Sequence, residues 1–323
     1  MGAEVSTKTY VMVNPASANG KTGRRWPEFA SRLRGCLPQF EVGFTEYSRH
    51  GVDLVRAAVK EGARHIVSVG GDGTHNEAVN GLFEGESLIA DDVVLSVVPT
   101  GTGGDLRRTL GLPADPLKAM ECIGQRPREV DVGRAQYLDH DGNAALAHFI
   151  NISSFGASGT VVDIVNNSSK RLGGRLSFLL GVVRGTLQYR NQEMRIILDE
   201  GTSEERVFQG RFYNGVVANA RYFGGGMLIA PDASMSDGLL DCVFLGDLSK
   251  FRVLKGTSAI YSGAHLELDD VDAYRAKTVR AEPVGGAEVL IDLDGEQPGL
   301  LPATYSLIPA AVQICTGAEW EMS

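Results

Sequence analysis

Two glycine-rich turns carry the residues whose types and spacing point to chemistry. The first is Gly70-Gly71-Asp72-Gly73-Thr74, which follows the apolar run His65–Val69. The second is Gly101-Thr102-Gly103-Gly104-Asp105, which follows Val93–Val98 and Pro99. Glycines let a backbone approach a phosphate closely, and a helix N-terminus adds free N–H groups and partial positive charge. Asp72 is the odd residue in such a loop, because a bare carboxylate repels phosphate. A bridging Mg²⁺ or a proton-accepting role would explain it. Thr74 and Glu77 have capping-box spacing, so Thr74 is expected to cap the helix that follows. Neither turn is the dinucleotide G-x-G-x-x-G fingerprint, and the Gly-Lys-Ser/Thr ending of a P-loop is absent. Near the C-terminus, Asp294-Gly295-Glu296 offers further carboxylates. Read by itself, it is equally a hairpin turn, since Asp-Gly is a turn dipeptide.

These turns need strands and helices to hold them. The first part of the chain alternates. Strands are predicted at Tyr10–Val13, Phe40–Phe44, His65–Val69 and Val93–Val98, with helices at about Trp26–Leu37, Val52–Glu61 and Thr74–Leu82. Alternation of this kind implies a parallel sheet covered on both faces, with ligands at the carboxyl ends of its strands. After about Val130 strand-like segments dominate: His148–Ile152, Met194–Leu198, Arg211–Ala218, Leu240–Leu245, Ala287–Leu293 and Tyr305–Ile308. Helices are predicted near Arg171–Tyr189 and Ser249–His265. The expected organisation is an α/β domain over 1–135 and a β-rich domain over 136–309, with 310–323 returning to the first.

Bulk properties narrow the function classes. The chain has 323 residues, enough for two domains with full cores. Its 31 basic and 40 acidic side chains leave a net charge of −9, which disfavours general nucleic-acid binding. Cys36, Cys122, Cys242 and Cys315 are scattered without zinc-ligand spacing, as expected in a reducing compartment. No signal peptide and no membrane span are read from the sequence, and cytoplasmic placement is expected.

Five motifs in order then bear a resemblance. Asn14-Pro15-Ala16-Ser17, Gly70 through Leu82, Pro99-x-Gly101-Thr102 with Asp105, the run from Gly224 to Asp241, and Asp294-Gly295-Glu296 are similar to the diacylglycerol-kinase catalytic-domain family. That family includes bacterial soluble lipid kinases, sphingosine kinases and ceramide kinases. The resemblance implies an α/β N-terminal domain with a parallel sheet, like those of NAD kinases and phosphofructokinases, and a β-sandwich C-terminal domain. It implies an ATP-dependent lipid kinase, with diacylglycerol as first candidate acceptor and Mg²⁺ as cofactor. By match, Asn14, Pro15, Ala16, Ser17, Ala18, Thr45, Gly71, Asp72, Gly73, Thr74, His75, Asn76, Glu77 and Thr102 would line the ATP site. Glu296 would accept the proton of the lipid hydroxyl, with Asp72 as the other catalytic candidate. Ser234, Asp237 and Leu239 would hold a structural Mg²⁺. The alternatives are a ceramide or sphingosine kinase, an NAD kinase, and a non-catalytic nucleotide- and lipid-binding regulator. Departures from the family pattern are Gly104 for its usual Asn, Leu106 for an aromatic, and Ser17-Ala18-Asn19-Gly20 for a Ser-Gly run.

One segment suggests a partner. From 164 to 192 there is no Asp or Glu, while Lys170, Arg171, Arg175, Arg184 and Arg190 alternate with apolar residues. Such a stretch can lie on an anionic membrane surface, or it can be a core helix whose arginines snorkel to water. The expected partners are a lipid substrate, peripheral contact with the inner face of a membrane, and a second copy of the chain.

Overall fold

The computed structural model describes residues 8–37, 39–167 and 174–322. They form two compact units, 1–130 with 310–323, and 131–309.

The first unit is built on a parallel sheet with buried central strands and an exposed edge strand at Glu41–Phe44. β1 (Thr9–Val13), β2 (Glu41–Phe44), β3 (His65–Gly70) and β6 (Val94–Pro99) are parallel, and the chain returns to add Gln313 and Ile314 beside β6. The order is returning strand, β6, β3, β1, β2. β3 is buried along its whole length, as expected of a central parallel strand with both faces covered. Helices α1 (Ser17–Cys36), α2 (His50–Lys60) and α3 (Asp72–Gly81) connect the strands. A small hairpin of β4 (Phe83–Glu84) and β5 (Ser87–Leu88) follows α3. Short helices α4 (Asp105–Thr109) and α5 (Pro116–Ala119) follow β6. Val11, Val13, Phe29, Leu33, Val67, Val69 and Val98 share one core between α1 and the sheet.

The first helix begins well before Trp26. Ala18, Asn19 and Gly20 turn left-handed (φ 52°, 56° and 77°), and the helix proper runs from there. Pro27 lies inside it, tolerated because Phe29, Ala30 and Leu33 bury the helix against the sheet. Thr74 does not cap α3, which starts at Asp72 after an extended Gly71.

In the second unit, β7 (Pro127–Leu138) pairs antiparallel with β8 (Ala144–Phe149). β9 (Ile152–Gly156) follows, then α6 (Ala157–Asn167) and α7 (Gly174–Gln188). The predicted single strand at His148–Ile152 is thus the junction of two strands. β10 (Gln192–Leu198), β11 (Arg206–Phe212) and β12 (Asn214–Ala218) come next, so the predicted strand Arg211–Ala218 is broken at Tyr213 and changes sheet there. β13 (Tyr222–Phe223) and β14 (Met227–Leu228) form a small hairpin. β15 (Leu240–Leu245), α8 (Lys250–Ile260), β16 (Val271–Ala276), β17 (Thr278–Pro283), β18 (Ile291–Leu293) and β19 (Leu300–Cys315) complete the order.

Two sheets face each other in this unit. One orders its strands β11-β10-β17-β19, with β7 and β8 attached, and the other β16-β15-β12-β9-β18. Their shared core holds Phe149, Phe155, Ile196, Phe244, Ile291 and Tyr305. β15 shows how strand alternation builds two layers. Leu240, Cys242 and Phe244 enter the sandwich core, whereas Val243 and Leu245 enter a second core. That second core takes Tyr189 from the end of α7 and is covered by Val253 and Ile260 of α8. The unit is therefore a β-sandwich with a helical layer on one outer face. Lys170 and Arg171 of the basic segment lie outside the described residues. No helix among the described residues is long and apolar enough to cross a membrane.

Candidate functional site

The carboxyl ends of β1, β3 and β6 are neighbours in the first unit, and side chains tie their loops together. After β1, Asn14 donates from Nδ2 to Thr74 Oγ1 at 3.0 Å. Its Oδ1 accepts from the Ala16 N–H at 3.0 Å, setting the Asn14-Pro15 turn. Thr74 therefore serves the first loop instead of capping its own helix. Ser17 Oγ lies 2.6 Å from Thr22 Oγ1 and 3.1 Å from Thr100 Oγ1, and Thr22 donates to Thr100 at 2.8 Å. These three hydroxyls join the first loop to the third. The left-handed Ala18-Asn19-Gly20 arch sits between Ser17 and Thr22, held by Gly20 N–H donating to the Ala16 carbonyl at 2.9 Å.

Asp72 joins the second loop to the third. Its carboxylate accepts from the N–H groups of Gly104 at 2.8 Å, Asp105 at 3.2 Å and Leu106 at 3.2 Å. Those are the orphan donors at the start of α4, so Asp72 caps that helix from across the loop pair. This accounts for a carboxylate in the glycine-rich turn. The loops are also in backbone contact: a Cβ on Gly101 would lie 2.5 Å from Gly71 Cα. Arg108 locks the third loop by donating to the carbonyls of Gly103 at 2.6 Å and Gly104 at 2.8 Å and to Asp105 Oδ1 at 3.2 Å. Gly104 is left-handed, with φ +66°.

The remaining predicted residues divide by exposure. Gly71, Gly73 and Asn76 are half-buried, and Thr102 is exposed at the tip of the third loop. Thr45 is buried, its N–H donating to the Val13 carbonyl at 2.9 Å. Glu77 accepts from the N–H groups of Arg49 at 3.1 Å and Gly51 at 2.8 Å, so it caps α2. His75 is buried, with Nδ1 2.9 Å from Ser68 Oγ of β3. Burial pushes its pKa down to about 4, so the ring is neutral near pH 7 and supports the sheet. Thr22, Thr100 and Arg108 were not predicted. The Arg107-Arg108 pair directly after the second glycine turn is the sequence signal for the last.

In the second unit, Asp294-Gly295-Glu296 is the turn between β18 and β19. Asp294 and Gly295 both have positive φ (49° and 88°), and Leu293 and Glu296 exchange backbone hydrogen bonds of 2.9 and 3.0 Å. The turn is thus a two-residue hairpin, and it is also anchored. Asp294 accepts from three successive N–H groups, Ile150, Asn151 and Ile152, at 2.8–3.0 Å. Asp292, buried behind the turn, accepts from Gly295 N–H at 2.8 Å and Ser154 Oγ at 2.9 Å. Burial pushes the Asp292 pKa up to about 7 against those hydrogen bonds. Glu296 is exposed on this braced turn.

The proposed metal residues lie elsewhere in the second unit. Asp237 is paired with Arg275, and its Oδ1 accepts from the Leu239 N–H at 3.0 Å. Arg275 also lies 3.6 Å from Asp241, its cross-strand partner on β15. Ser234 presents its Oγ 3.5 Å from Ser236 Oγ. A Mg²⁺ ion needs an octahedron of oxygens. Here the one carboxylate of the predicted set is already matched by a guanidinium. As placed, these residues do not fit a resident Mg²⁺. No group of three or more His, Cys, Asp or Glu suited to a metal occurs among the described residues.

Residues 8–135 match the family described as the diacylglycerol kinase catalytic domain. Residues 151–316 match the YegS C-terminal NAD kinase beta sandwich-like domain. A diacylglycerol kinase of Mycobacterium tuberculosis is 32% identical over 315 residues, covering 95% of this chain and 94% of the relative. A diacylglycerol kinase of Bacillus subtilis is 29% identical over 286 residues, covering 86% and 88%. Among solved structures, a diacylglycerol kinase from Bacillus anthracis superposes with a TM-score of 0.69 at 21% identity, covering 96% and 97% of the two chains. Yeast NADH kinase complexed with NADH superposes at 0.52 with 11% identity, covering 96% and 83%. These likenesses show a fold of the NAD kinase type.

Proposed function

Since the chain belongs to the diacylglycerol kinase catalytic-domain family, we propose that it transfers the γ-phosphoryl group of ATP to a lipid hydroxyl, with diacylglycerol as acceptor and phosphatidic acid as product. The observation that carries this reading is the convergence of three loops at the ends of β1, β3 and β6, linked by Asn14–Thr74, Ser17–Thr100 and Asp72 with the start of α4. Phosphoryl transfer asks a protein mainly for positioning and charge stabilisation. The loop glycines and exposed Thr102 are suited to phosphate oxygens, and Asp72 and Arg108 keep the third loop in shape. Magnesium would enter with the nucleotide, neutralising phosphate charge. Glu296 would take the proton of the lipid hydroxyl as its oxygen bonds to the γ-phosphorus and the bond to ADP breaks. Its braced backbone fits a base that must be held in one place. A diacylglycerol acceptor resides in a bilayer and ATP in the cytoplasm, so the enzyme would work peripherally at the inner membrane face.

The test is transfer of labelled phosphate from ATP with Mg²⁺ to a panel of lipid alcohols in mixed micelles, with NAD as a soluble control. Label in diacylglycerol is expected. Glu296→Gln should lower the turnover by about 10²-fold or more while ATP affinity holds, the usual contribution of a general base. Label in NAD alone would overturn the lipid reading. Full turnover in Glu296→Gln would remove Glu296 as the base.

A further inference from the structure

The helical layer of the second unit leaves one face uncovered. Helix α8 has no fully buried residue: Val253 and Ile260 lean on the second core, and the opposite side is bare. On that side Phe251 is 76% exposed, Leu254 42% and Tyr261, one residue beyond the helix, 53%. The end of α7 adjoins it, since Lys250 Nζ donates to the Leu187 carbonyl and Asn191 donates to the Leu248 carbonyl at 2.9 Å. There Leu187 is 53% exposed and Val183 36%. Half of the large exposed apolar side chains among the described residues therefore gather on these two neighbouring helix ends.

Charge on this face runs against the whole chain. The molecule carries −9, yet no Asp or Glu occurs between Asp163 and Glu193, nor between Asp247 and Glu267. Those are the two stretches that supply α7 and α8. Their described cations include Arg184, Arg190, Lys250 and Lys255, together with Arg252, which pairs with Asp270. An apolar helix face flanked by basic residues, with neighbouring Asp270 paired to Arg252 and Asp247 bonded to Asn191, suits an anionic lipid surface, where apolar side chains enter the interface and cations meet the headgroups.

We propose that the outer face of α8, with the C-terminal end of α7, docks this protein on an anionic lipid bilayer, with Phe251 and Leu254 as the inserted residues. The proposal rests on the lipid-kinase reading for its purpose, and its test does not require that reading to hold.

The full chain is sedimented with vesicles of phosphatidylglycerol mixed with phosphatidylcholine, and with vesicles of phosphatidylcholine alone, without ATP. Binding to the anionic vesicles is expected, weakened by salt, with little binding to the neutral ones. Phe251→Glu with Leu254→Glu should weaken it by about tenfold or more, and Lys255→Glu should weaken it and flatten its salt dependence. Both sites are exposed, so the thermal midpoint should not move. Phosphate transfer to a short-chain diacylglycerol dispersed as monomers should stay at the parent level, which separates docking from catalysis. Unchanged vesicle binding in the double variant would overturn the proposal, as would equal binding to neutral vesicles. So would a parent dimer that dissociates in the double variant, because a second copy would then cover this face.

Discussion

Three carboxylates do structural work that their motifs alone do not announce. Asp72 caps α4, Glu77 caps α2, and Asp294 gathers three N–H groups from the junction of β8 and β9. Removing Asp72 leaves buried N–H groups without an acceptor, which costs about 1–3 kcal/mol each. Asp72→Ala should therefore lower the thermal midpoint and weaken ATP binding, read by thermal unfolding and calorimetric titration. A loss of turnover with both of those unchanged would instead assign Asp72 to the chemistry. Asp292 gives a pH prediction. Its pKa of about 7 lies well above the ordinary value of 3.8, so the folded state holds a proton that the unfolded state releases. Its contribution is therefore complete at low pH and is lost as pH rises through about 7, with a slope of at most about 1.4 kcal/mol per pH unit. His75 and His148, each lowered to about 4 by burial, act in the opposite sense below their ordinary 6.5. The informative quantity is thus a difference between proteins. Going from pH 5 to pH 8, Asp292→Asn should lose less stability in urea than the parent does. Equal losses would show that Asp292 ionises freely in the fold.

At the scale of elements, the first unit depends on how closely two loops approach. Gly71 and Gly101 touch through their backbones, so Gly101→Ala must push the β3 and β6 loops apart. The cost should be about 1–3 kcal/mol, as for other overpacked sites, with a matching loss of nucleotide affinity. Gly104 differs in kind. Its left-handed backbone suits Asn, and a Cβ there would meet the side chain of Arg107, which can move. Gly104→Asn should therefore change stability by less than Gly101→Ala. Thermal midpoints of the two variants, with and without ATP, check the contrast.

For the molecule as a whole, the last residues matter to the first unit. Gln313 and Ile314 complete the sheet beside β6, Gly317 N–H donates to the Leu110 carbonyl at 2.9 Å, and Val312, Ile314 and Cys315 are buried. Burying one aliphatic side chain contributes about 1.5–3 kcal/mol. A chain ending at Pro309 should thus lose several such contributions from the first unit. Its thermal midpoint and its protease resistance should fall, measured beside the full chain. Parent-like stability would mean that the returning segment is an accessory.

The sequence by itself determined the family, the fold class and the two glycine-rich turns at the ends of β3 and β6. Apolar runs that end in glycine turns are local signals, and the motif order survives without any knowledge of contacts. Strands such as Met194–Leu198 and Leu240–Leu245 were legible because buried β-branched and apolar runs carry their own pattern. Tertiary structure alone decided what long-range partners choose. Thr74 and Glu77 have capping-box spacing, yet Thr74 is taken by Asn14 and Glu77 by the start of α2. The first helix starts before Trp26, where Thr22 is buried and bonded to Thr100 of another loop. Thr22 and Thr100 became visible only once the strand ends stood side by side, because no local pattern records which loops will meet. The bare face of α8 follows the same logic: its composition is plain in the chain, but only packing decides which side of a helix is left to solvent.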